Sequence, residues 1–379
     1  MVKKTVLILS YTPLYHDPRV LRQISALKDT FNIITVGLSP IKDDSIRFYQ
    51  IYSVPPFSLK RKLKRFIQFI TRKFDDFYWD AGKQNIVQLF KGVDINVIIA
   101  NDINTLPMAL AIASTRAKVY FDAHEYYPRE WDDKFWWRLL NQKYITFLCK
   151  KYIPMAHSFS AVSKSIAKEY EKLTGLMPFL ITNASDYVNL IPKPLGENNI
   201  KLIHHSLAIR SRKIETMIEM MQFLDHNYTL DIILLGNDKN YIDKLQSLAK
   251  ADQRIRFIPP VATREIPALL NSYDIGVILW PSTNFNYCYT LPNKIFECIQ
   301  ARLAIAVSPA PEIANLVKTY DLGVVAESFT AESMAKAIRG LSREKVFYYK
   351  QQSHMHAKTL SAEKNILKIR EEVSRLGEL

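Results

Sequence analysis

The sequence alternates short apolar runs with longer amphipathic segments along its whole length, and this alternation limits the folds it can adopt. The apolar runs are continuous in Val, Ile and Leu, which is typical of parallel strands covered on both faces. Candidate strands lie at 5–10, 32–37, 97–100, 118–121, 158–162, 179–182, 200–204, 230–235, 255–258, 275–279, 303–307 and 323–326. The segments between them predict helices, so the sequence predicts an α/β fold with doubly wound sheets.

The length of the chain and one interruption predict two domains. The 379 residues exceed what one ordinary core accommodates. The Pro-containing stretch 191–199 separates two strand series, which predicts Rossmann-like domains at 1–190 and 191–354 that face each other across a cleft. We expect the last helix, about 355–379, to pack back on the first domain. In such sheets ligands bind beyond the carboxyl ends of the strands.

The charge and the cysteines restrict the partners and the compartment. The formal net charge of +14 favours an anionic partner, with nucleotide phosphates, nucleic acid and acidic lipid all left open. Cys149, Cys288 and Cys298 form no CxxC pair and have no metal-ligand spacing, which suits a reducing cytosol. No run reaches the roughly 18 apolar residues of a membrane span. We therefore expect a cytoplasmic protein, either soluble or peripheral on the inner face of the membrane.

The segment LPNKIFE, residues 291–297, carries the strongest local signal. Pro292 suits the first turn of a helix that Thr290 or Leu291 would cap. Lys294 then lies in the first turn, where the helix dipole disfavours a cation unless an anion such as a diphosphate binds there. Glu297, one turn later, could accept hydrogen bonds from two ribose hydroxyls. The spacing alone leaves open a surface pair between Lys294 and Glu297.

Several stretches in order along the chain resemble one enzyme family. They are HDPRVLRQISALK (16–28), ANDINTLPMALAIA (100–113), YFDAHEYYPREW (120–131), AVSKSIAKEY (161–170), HHSLAIRSRKIE (204–215), LLGND (234–238) and SYDIGV (272–277). Together with LPNKIFE, they make the chain similar to glycosyltransferase family 4, the retaining group 1 glycosyltransferases of GT-B architecture. The likeness spans nearly the whole chain and implies an enzyme of polysaccharide or lipid-linked saccharide synthesis.

The resemblance implies roles for residues of the second domain. Glu297 would hold the ribose, and Arg212 with Lys294 would stabilise the leaving diphosphate during catalysis. The other donor-binding positions are Asn293, Thr290, Leu291, Arg210, Lys213, Gly236 and Asn237. The donor would be a UDP-, GDP- or other NDP-sugar.

Two departures from the family pattern concern the donor. Tyr289 stands where the family commonly has a glutamate that contacts the transferred sugar. His204, His205 and Ser206 stand in place of the usual Gly-rich turn, which makes close backbone approach to phosphate less assured. We therefore expect the donor sugar to be bound differently.

The resemblance also implies a reaction centre and an acceptor side in the first domain. His124 would approach the donor sugar, and the acceptor side would comprise His16, Arg19, Asp102, Asn104 and Glu125. Retention in this framework needs neither a protein nucleophile nor a metal, because the leaving phosphate can deprotonate the acceptor hydroxyl. The chain has no Asp-x-Asp motif, and we expect no metal and no cofactor.

Two basic segments predict contact with an anionic membrane. Residues 57–74 place Leu and Phe on one helical face with seven Lys/Arg, and 134–152 adds paired tryptophans and further cations. An ordinary packed helix with a solvated basic face is the alternative. Membrane contact would suit a lipid-linked saccharide acceptor in surface polysaccharide or glycolipid assembly.

Other functions remain open at this point. A nucleotide-sugar epimerase or a phosphorylase can share the two-domain architecture, although no Lys-anchored pyridoxal phosphate signature is evident. A basic nucleic-acid-binding protein would fit the charge. No helix-turn-helix, RNP or zinc-finger pattern is present, and we expect no nucleic-acid partner.

Overall fold

The computed structural model describes residues 3–51, 66–113, 116–236 and 238–378. The chain divides into two units, of which the first comprises Met1–Ile181 and Ile366–Leu379 and the second comprises Thr182–Asn365. Each unit is built on one sheet in which all the paired strands are parallel. Residues 57–65 of the first basic segment and Asn237 lie outside the described residues.

The first unit has a seven-stranded sheet in the order β3-β2-β1-β4-β5-β6-β7. Its strands are β1 Thr5–Leu9, β2 Asn32–Gly37, β3 Arg47–Gln50, β4 Val97–Asn101, β5 Lys118–Asp122, β6 Ser158–Ala161 and β7 Phe179–Leu180. Its α-helices are Pro18–Leu27, Phe74–Tyr78, Ala81–Leu89, Leu106–Ala113, Phe135–Trp137, Lys143–Tyr152 and Lys164–Thr174, with a further helical segment at 66–70 and a π-helical turn at Arg138–Gln142. The carboxyl ends of β1, β4 and β5 lie side by side.

The second unit has a six-stranded sheet in the order β10-β9-β8-β11-β12-β13. Its strands are β8 Ile200–Leu207, β9 Tyr228–Leu235, β10 Ile255–Ile258, β11 Ile275–Ile278, β12 Ala304–Val307 and β13 Gly323–Val325. Its α-helices are Glu215–Met220, Lys239–Ala249, Ile266–Leu270, Phe285–Tyr289, Asn293–Gln300, Pro311–Thr319, Ala331–Arg339 and Arg343–His356. Apolar side chains cover both faces of the sheet, as the continuous Val/Ile/Leu runs predicted.

The boundaries of the units differ from the predicted ones. Residues 182–190 and 355–365, which the sequence placed in the first domain, belong to the second unit. Residue Ala357 of the later stretch accepts from Gln300 Nε2 at 2.7 Å. The earlier stretch is held by hydrogen bonds of Arg302, a buried residue whose φ is 61°. Its guanidinium donates to the carbonyls of Val188 (2.6 Å) and Leu190 (3.1 Å) and so ties the connecting chain to the second unit.

The final helix, Glu363–Glu378, passes from the second unit into the first. Ile369, Val373 and Leu376 are buried in the same core as the residues of β1. Lys4 Nζ donates to the carbonyl of Gly377 at 2.9 Å, which fixes the end of this helix beside the first strand.

Candidate functional site

The candidate site of the second unit lies at the carboxyl end of β8 and beside β11. The strand predicted at 200–204 is longer in the structure and extends to Leu207. His204, His205 and Ser206, which stand in place of the usual Gly-rich turn, are therefore the last buried residues of β8. A small cavity here is lined by His204, Ser206, Arg212, Ile278, Leu279, Trp280 and Lys294, and we name it the cationic pocket. This cavity lies at the carboxyl edge of the sheet, and Arg212 and Lys294, two residues that the resemblance assigned to the donor, line it.

Two cations of the cationic pocket share one hydroxyl group. Arg212 Nη1 and Lys294 Nζ donate to Ser206 Oγ at 3.0 and 3.1 Å. Both also lie over the ring of Trp280, at 5.3 Å for the guanidinium and 4.8 Å for the ammonium. Burial, and after it the charge of Arg212, lowers the pKa of Lys294 to about 7. The pocket therefore disfavours a second positive charge beside Arg212 in the free protein, at the place where the resemblance implies a diphosphate.

The same cavity contains buried polar atoms without a partner among the described residues. Arg212 Nε and Trp280 Nε1 are donors of this kind, and His204 Nε2 is an unpaired ring nitrogen. His204 Nδ1 donates to the carbonyl of Val277 at 2.9 Å, and burial, together with Lys294, holds its pKa well below the ordinary value. Nε2 is therefore an acceptor in the neutral ring. Buried donors without partners are costly, and an oxyanion would satisfy them.

Glu297, the predicted ribose ligand, lies one turn along the helix from Lys294. Its Oε2 is 2.6 Å from His205 Nε2, and both side chains are largely buried, at 12% and 11% exposure. His205 thus fixes the direction of the carboxylate through one oxygen and leaves the other for a ligand. The sequence did not assign this role to His205.

The helix that carries Lys294 and Glu297 begins later than predicted. It spans Asn293–Gln300, with Pro292 at the N-cap in place of the first turn. The Thr290 N–H donates to the carbonyl of Asn286 at 2.9 Å and so ends the preceding helix, Phe285–Tyr289. Because Pro292 is the N-cap, neither Thr290 nor Leu291 caps the Asn293–Gln300 helix, and both predicted caps are wrong.

The remaining described residues that were predicted to bind the donor do not line the cationic pocket. Arg210 is exposed, pairs with Asp238 at 2.9 Å and lies over the ring of Tyr241, so its side chain is engaged outside the cationic pocket. Lys213 has a left-handed backbone with φ 46°. Gly236 directly follows β9 and has φ 134°, a conformation that favours glycine. Leu291 is buried and its carbonyl accepts from Asn183 at 3.1 Å.

Tyr289, which stands in place of the expected glutamate, is the last residue of the helix Phe285–Tyr289. Its ring lies 4.6 Å from that of Phe285. The neighbouring Tyr287 is hydrogen-bonded to Ser211 at 3.1 Å, and its ring contacts Trp280. Tyr287 therefore lies beside the cationic pocket, whereas the ring of Tyr289 packs against Phe285.

In the first unit, a buried ion pair lies at the end of β5. Arg19 donates to Asp122 through Nε (2.7 Å) and Nη2 (2.5 Å). Gln23 Nε2 and Ser160 Oγ donate to the same carboxylate at 2.7 and 2.5 Å. Arg19, predicted on the acceptor side, is thus engaged below the surface with Asp122.

His124 belongs to the polar network that surrounds this pair. Its Nε2 is 3.1 Å from Asn101 Oδ1, and its Nδ1 is 3.5 Å from Asp102 Oδ1. Tyr127 donates its hydroxyl to the same Asp102 oxygen at 2.6 Å. Asp102 has φ 71°, which is uncommon for a residue other than glycine. The structure therefore brings two predicted residues, His124 and Asp102, together.

The remaining predicted acceptor residues are more peripheral. His16 is exposed and its ring lies 4.1 Å from that of Tyr15. Asn104 is exposed, and its carbonyl accepts from Tyr78. Glu125 is half-buried, and its carbonyl accepts from Tyr170. In the described part of the chain, no group of three or more His, Cys, Asp or Glu side chains is arranged to hold a metal ion.

A comparison with protein families identifies the second unit. Residues 202–344 match the family model described as Glycosyl transferases group 1. This range contains every residue that lines the cationic pocket. The match lies within the second unit, and we name the matched part of that unit the group 1 domain. No curated protein matches the chain closely enough to count as a relative.

Solved structures extend the comparison beyond the group 1 domain to both units. Sucrose-phosphate synthase from Thermosynechococcus elongatus has a TM-score of 0.76 at 11% identity, with 99% of each chain covered. Alr3699/HepE of Anabaena in complex with UDP has a TM-score of 0.70 at 13% identity, covering 99% of this chain and 100% of that one. WaaG, a glycosyltransferase involved in lipopolysaccharide biosynthesis, has a TM-score of 0.66 at 12% identity, covering 97% and 99%. At such identities the likeness shows the fold.

The family match and the shared fold decide three of the sequence-based predictions. The resemblance to group 1 glycosyltransferases, the GT-B fold with two Rossmann-like units, and the assignment of the chain as a glycosyltransferase are confirmed.

Proposed function

We propose that this glycosyltransferase takes its sugar from a nucleoside-diphosphate sugar, bound in the group 1 domain. The cationic pocket carries the proposal, because Arg212 and Lys294 converge on one hydroxyl beside buried donors that lack partners. Structures of the same fold support it: Alr3699/HepE has been crystallised with UDP, with UDP and glucose, and with UDP-glucose.

The pocket would act mainly on the leaving group. The charge on the departing nucleoside diphosphate grows in the transition state, and fixed cations in a site shielded from water stabilise it there. Glu297, oriented by His205, would accept hydrogen bonds from the ribose hydroxyls through its other oxygen. The aromatic group at Tyr289 would contribute to the choice of donor sugar.

The remainder of the proposal concerns the chemistry and the acceptor. Transfer would proceed with retention and without a metal, since the leaving phosphate can deprotonate the incoming hydroxyl. His124, held by Asn101 and Asp102, would contact the transferred sugar. The acceptor would be a saccharide or lipid-linked saccharide of surface polysaccharide or glycolipid assembly. The shared fold of WaaG, involved in lipopolysaccharide biosynthesis, supports this choice.

A thermal-shift experiment with and without Glu297 tests the donor assignment. UDP-, GDP- and ADP-glucose are compared, and at least one should raise the melting temperature of the wild type. At a concentration 100 times the Kd, binding to the folded state adds about 2.7 kcal/mol to the free energy of unfolding. Glu297→Ala should still fold, with its unliganded melting temperature lowered because His205 loses its partner. Relative to that new baseline it should lose most of the response to the nucleotide sugar, because the ribose loses its acceptor.

The exposed Glu327, whose partner is Lys336, provides the matched control. Glu327→Ala should respond to the nucleotide sugars as the wild type does. A response of full size in Glu297→Ala would contradict the ribose assignment. No response of the wild type to any of the three sugars would contradict the proposed function.

The first unit also presents a surface suited to a membrane. Its exposed apolar side chains are Phe66, Ile67, Ile70, Phe135, Trp136, Leu139 and Leu140, and we name this set the apolar surface. The rings of Phe69, Phe77 and Tyr144 are in contact and connect its two segments. Lys134, Arg138 and Lys143 are exposed beside it. No described helix combines the length and apolar character needed to cross a bilayer. We propose peripheral binding to anionic lipid.

Vesicle sedimentation tests this proposal. Vesicles of phosphatidylglycerol and phosphatidylcholine should sediment the protein, and pure phosphatidylcholine should not, because the attraction of the basic residues needs anionic headgroups. Trp136, 68% exposed, should contribute much of the buried apolar area, so Trp136→Glu should weaken binding by about tenfold or more. Leu248→Glu, at an exposed position of the second unit, should have no effect. Equal sedimentation with both lipids would exclude the proposal.

A further inference from the structure

We propose that the group 1 domain takes up one proton together with the diphosphate of its donor, and that Lys294 is the group that receives it. The inference rests on the proposed function, because it describes the change of protonation that accompanies donor binding. It also predicts how the affinity of the site depends on pH.

The surroundings of Lys294 provide no counter-charge of its own. Its Nζ donates to the neutral Ser206 hydroxyl, which also accepts from the guanidinium of Arg212. Among the described residues no carboxylate lies within ion-pair distance of this amine. Lys350 is the contrasting buried lysine of the same unit, because its Nζ pairs with Asp274 at 3.1 Å. Without such a partner, burial favours the neutral amine.

The titratable and charged groups around Lys294 come from three elements of the unit, which are β8, the Arg210–Arg212 turn and the Asn293–Gln300 helix. Arg212 adds a positive charge, and His204 on β8 is neutral because burial holds its pKa well below the ordinary value. Glu297, on the same helix, acts in the opposite direction but is engaged with His205. The buried thiol of Cys298 is also neutral, because burial raises its pKa. Burial and Arg212 prevail, and the pKa of Lys294 falls to about 7.

A bound diphosphate changes this balance. Two phosphate charges beside the amine favour its charged form and raise the pKa of Lys294 above the value in the free protein. Above pH 7 the neutral amine then takes a proton from solvent and becomes an ammonium ion. The ammonium and the Arg212 guanidinium together face the two phosphate charges. In the complex, the two positive charges of the pocket therefore balance the two negative charges of the diphosphate.

The sign of the pH dependence follows from linkage. Well below pH 7 Lys294 is already protonated in the free protein, so binding takes up no proton and the affinity is at its maximum. Above pH 7 the uptake approaches one proton. The affinity then falls by up to about tenfold per pH unit, until the pKa of Lys294 in the complex is reached.

Titration calorimetry counts the proton directly. The probe is whichever of UDP-, GDP- and ADP-glucose gives the largest thermal shift, because a sugar diphosphate has no phosphate proton that titrates near neutrality. At pH 8 the binding enthalpy is measured in phosphate, HEPES and Tris, whose ionisation enthalpies differ. The observed binding enthalpy is plotted against the ionisation enthalpy of the buffer, and the slope gives the number of protons taken up. At pH 8 this number should be about one, and at pH 7 about half.

Two variants assign the proton to its residue. Lys294→Arg remains charged at every pH used and should bind the sugar diphosphate without proton uptake. Lys336→Met, at an exposed lysine remote from the pocket, should keep the wild-type uptake. Uptake that persists in Lys294→Arg would overturn the proposal and assign the proton to another group, such as His204.

The remaining outcomes separate this inference from the proposed function. Binding without proton uptake in the wild type would overturn the inference alone. Failure of all three sugars to bind would overturn the proposed function as well. If Lys294→Arg does not fold, the pH dependence of the wild-type affinity between pH 7 and 9 tests whether Lys294 takes up the proton. A fall approaching tenfold per pH unit supports Lys294, and a constant affinity contradicts it.

Discussion

The Asp122→Asn variant is expected to lose about 3–5 kcal/mol of the free energy of unfolding of the first unit. The Asp122 carboxylate is fully buried at the end of β5 and accepts both bonds of the Arg19 guanidinium, at 2.7 and 2.5 Å. The amide that replaces it carries no charge, so the guanidinium remains buried without a counter-ion. Urea denaturation of both proteins, followed by circular dichroism, measures the difference.

The pH dependence of the free energy of unfolding provides a second test of the ion pair between Arg19 and Asp122. Burial acts to raise the pKa of Asp122, but Arg19 outweighs it and the pKa falls to about 2. A lowered folded-state pKa means that the stabilisation is complete above the ordinary carboxyl pKa of about 4. It is lost as the pH falls from about 4 to about 2. This loss should be absent from Asp122→Asn.

An exposed pair provides the control. Glu169 pairs with Lys172, and their side chains are 30% and 71% exposed. Glu169→Gln should therefore cost less than about 1 kcal/mol. Equal losses in Asp122→Asn and Glu169→Gln would show that the buried pair contributes no more than a surface contact.

The strands could be predicted from the sequence because most of them are buried on both faces. A parallel strand covered by helices must be apolar throughout, and each predicted run is a strand in the structure. The missed strand, β3, is Arg47–Gln50 at the edge of the first sheet. An edge strand can carry charged and polar residues, so RFYQ shows no continuous apolar run.

The candidate site could be predicted only in part, because its contacts are distant in sequence. The sequence indicated Arg212, Lys294 and Glu297, but it did not assign Ser206 or Trp280 to the pocket, since neither carries a charge. Ser206 lies within the quoted stretch HHSLAIRSRKIE, where it indicated only a departure from the Gly-rich turn, and Trp280 belongs to no quoted stretch. Arg19 was assigned to the acceptor side, whereas its partner Asp122 lies 103 residues away. Periodicity and local spacing give no information on a pairing at that distance.

The two arginines of the loop after β8 show most clearly what the fold adds. Arg210 and Arg212 lie in one 3-10 turn, Arg210–Arg212, and the resemblance implied that both of them bind the donor. The turn directs Arg210 to Asp238 at the surface and Arg212 to Ser206 and Trp280 in the cationic pocket. Two residues of the same type, two positions apart, therefore have different expected effects.

Replacing Arg212 by alanine is expected to reduce the affinity for the donor by about 100-fold, or about 2.7 kcal/mol. The diphosphate would then face Lys294 alone in a buried site, and the donor on Arg212 Nε, unpaired in the free protein, would be lost. Titration calorimetry with the sugar diphosphate measures the affinity, and release of the nucleoside diphosphate measures turnover. Turnover should fall by about 100-fold or more, since the missing charge opposed the growing charge of the leaving group.

Arg210→Ala distinguishes this loss from a general effect of removing a cation from the loop. The Arg210 side chain is 58% exposed and pairs with Asp238, so its removal should change donor affinity by less than about threefold at physiological ionic strength. Raising the salt concentration should reduce that small effect further and leave most of the Arg212→Ala defect in place, because buried charges are screened much less. If both variants lose affinity equally and both losses disappear in salt, the loop acts only through its net charge. A large loss in Arg212→Ala that is retained in salt requires direct contact between the buried guanidinium and the diphosphate.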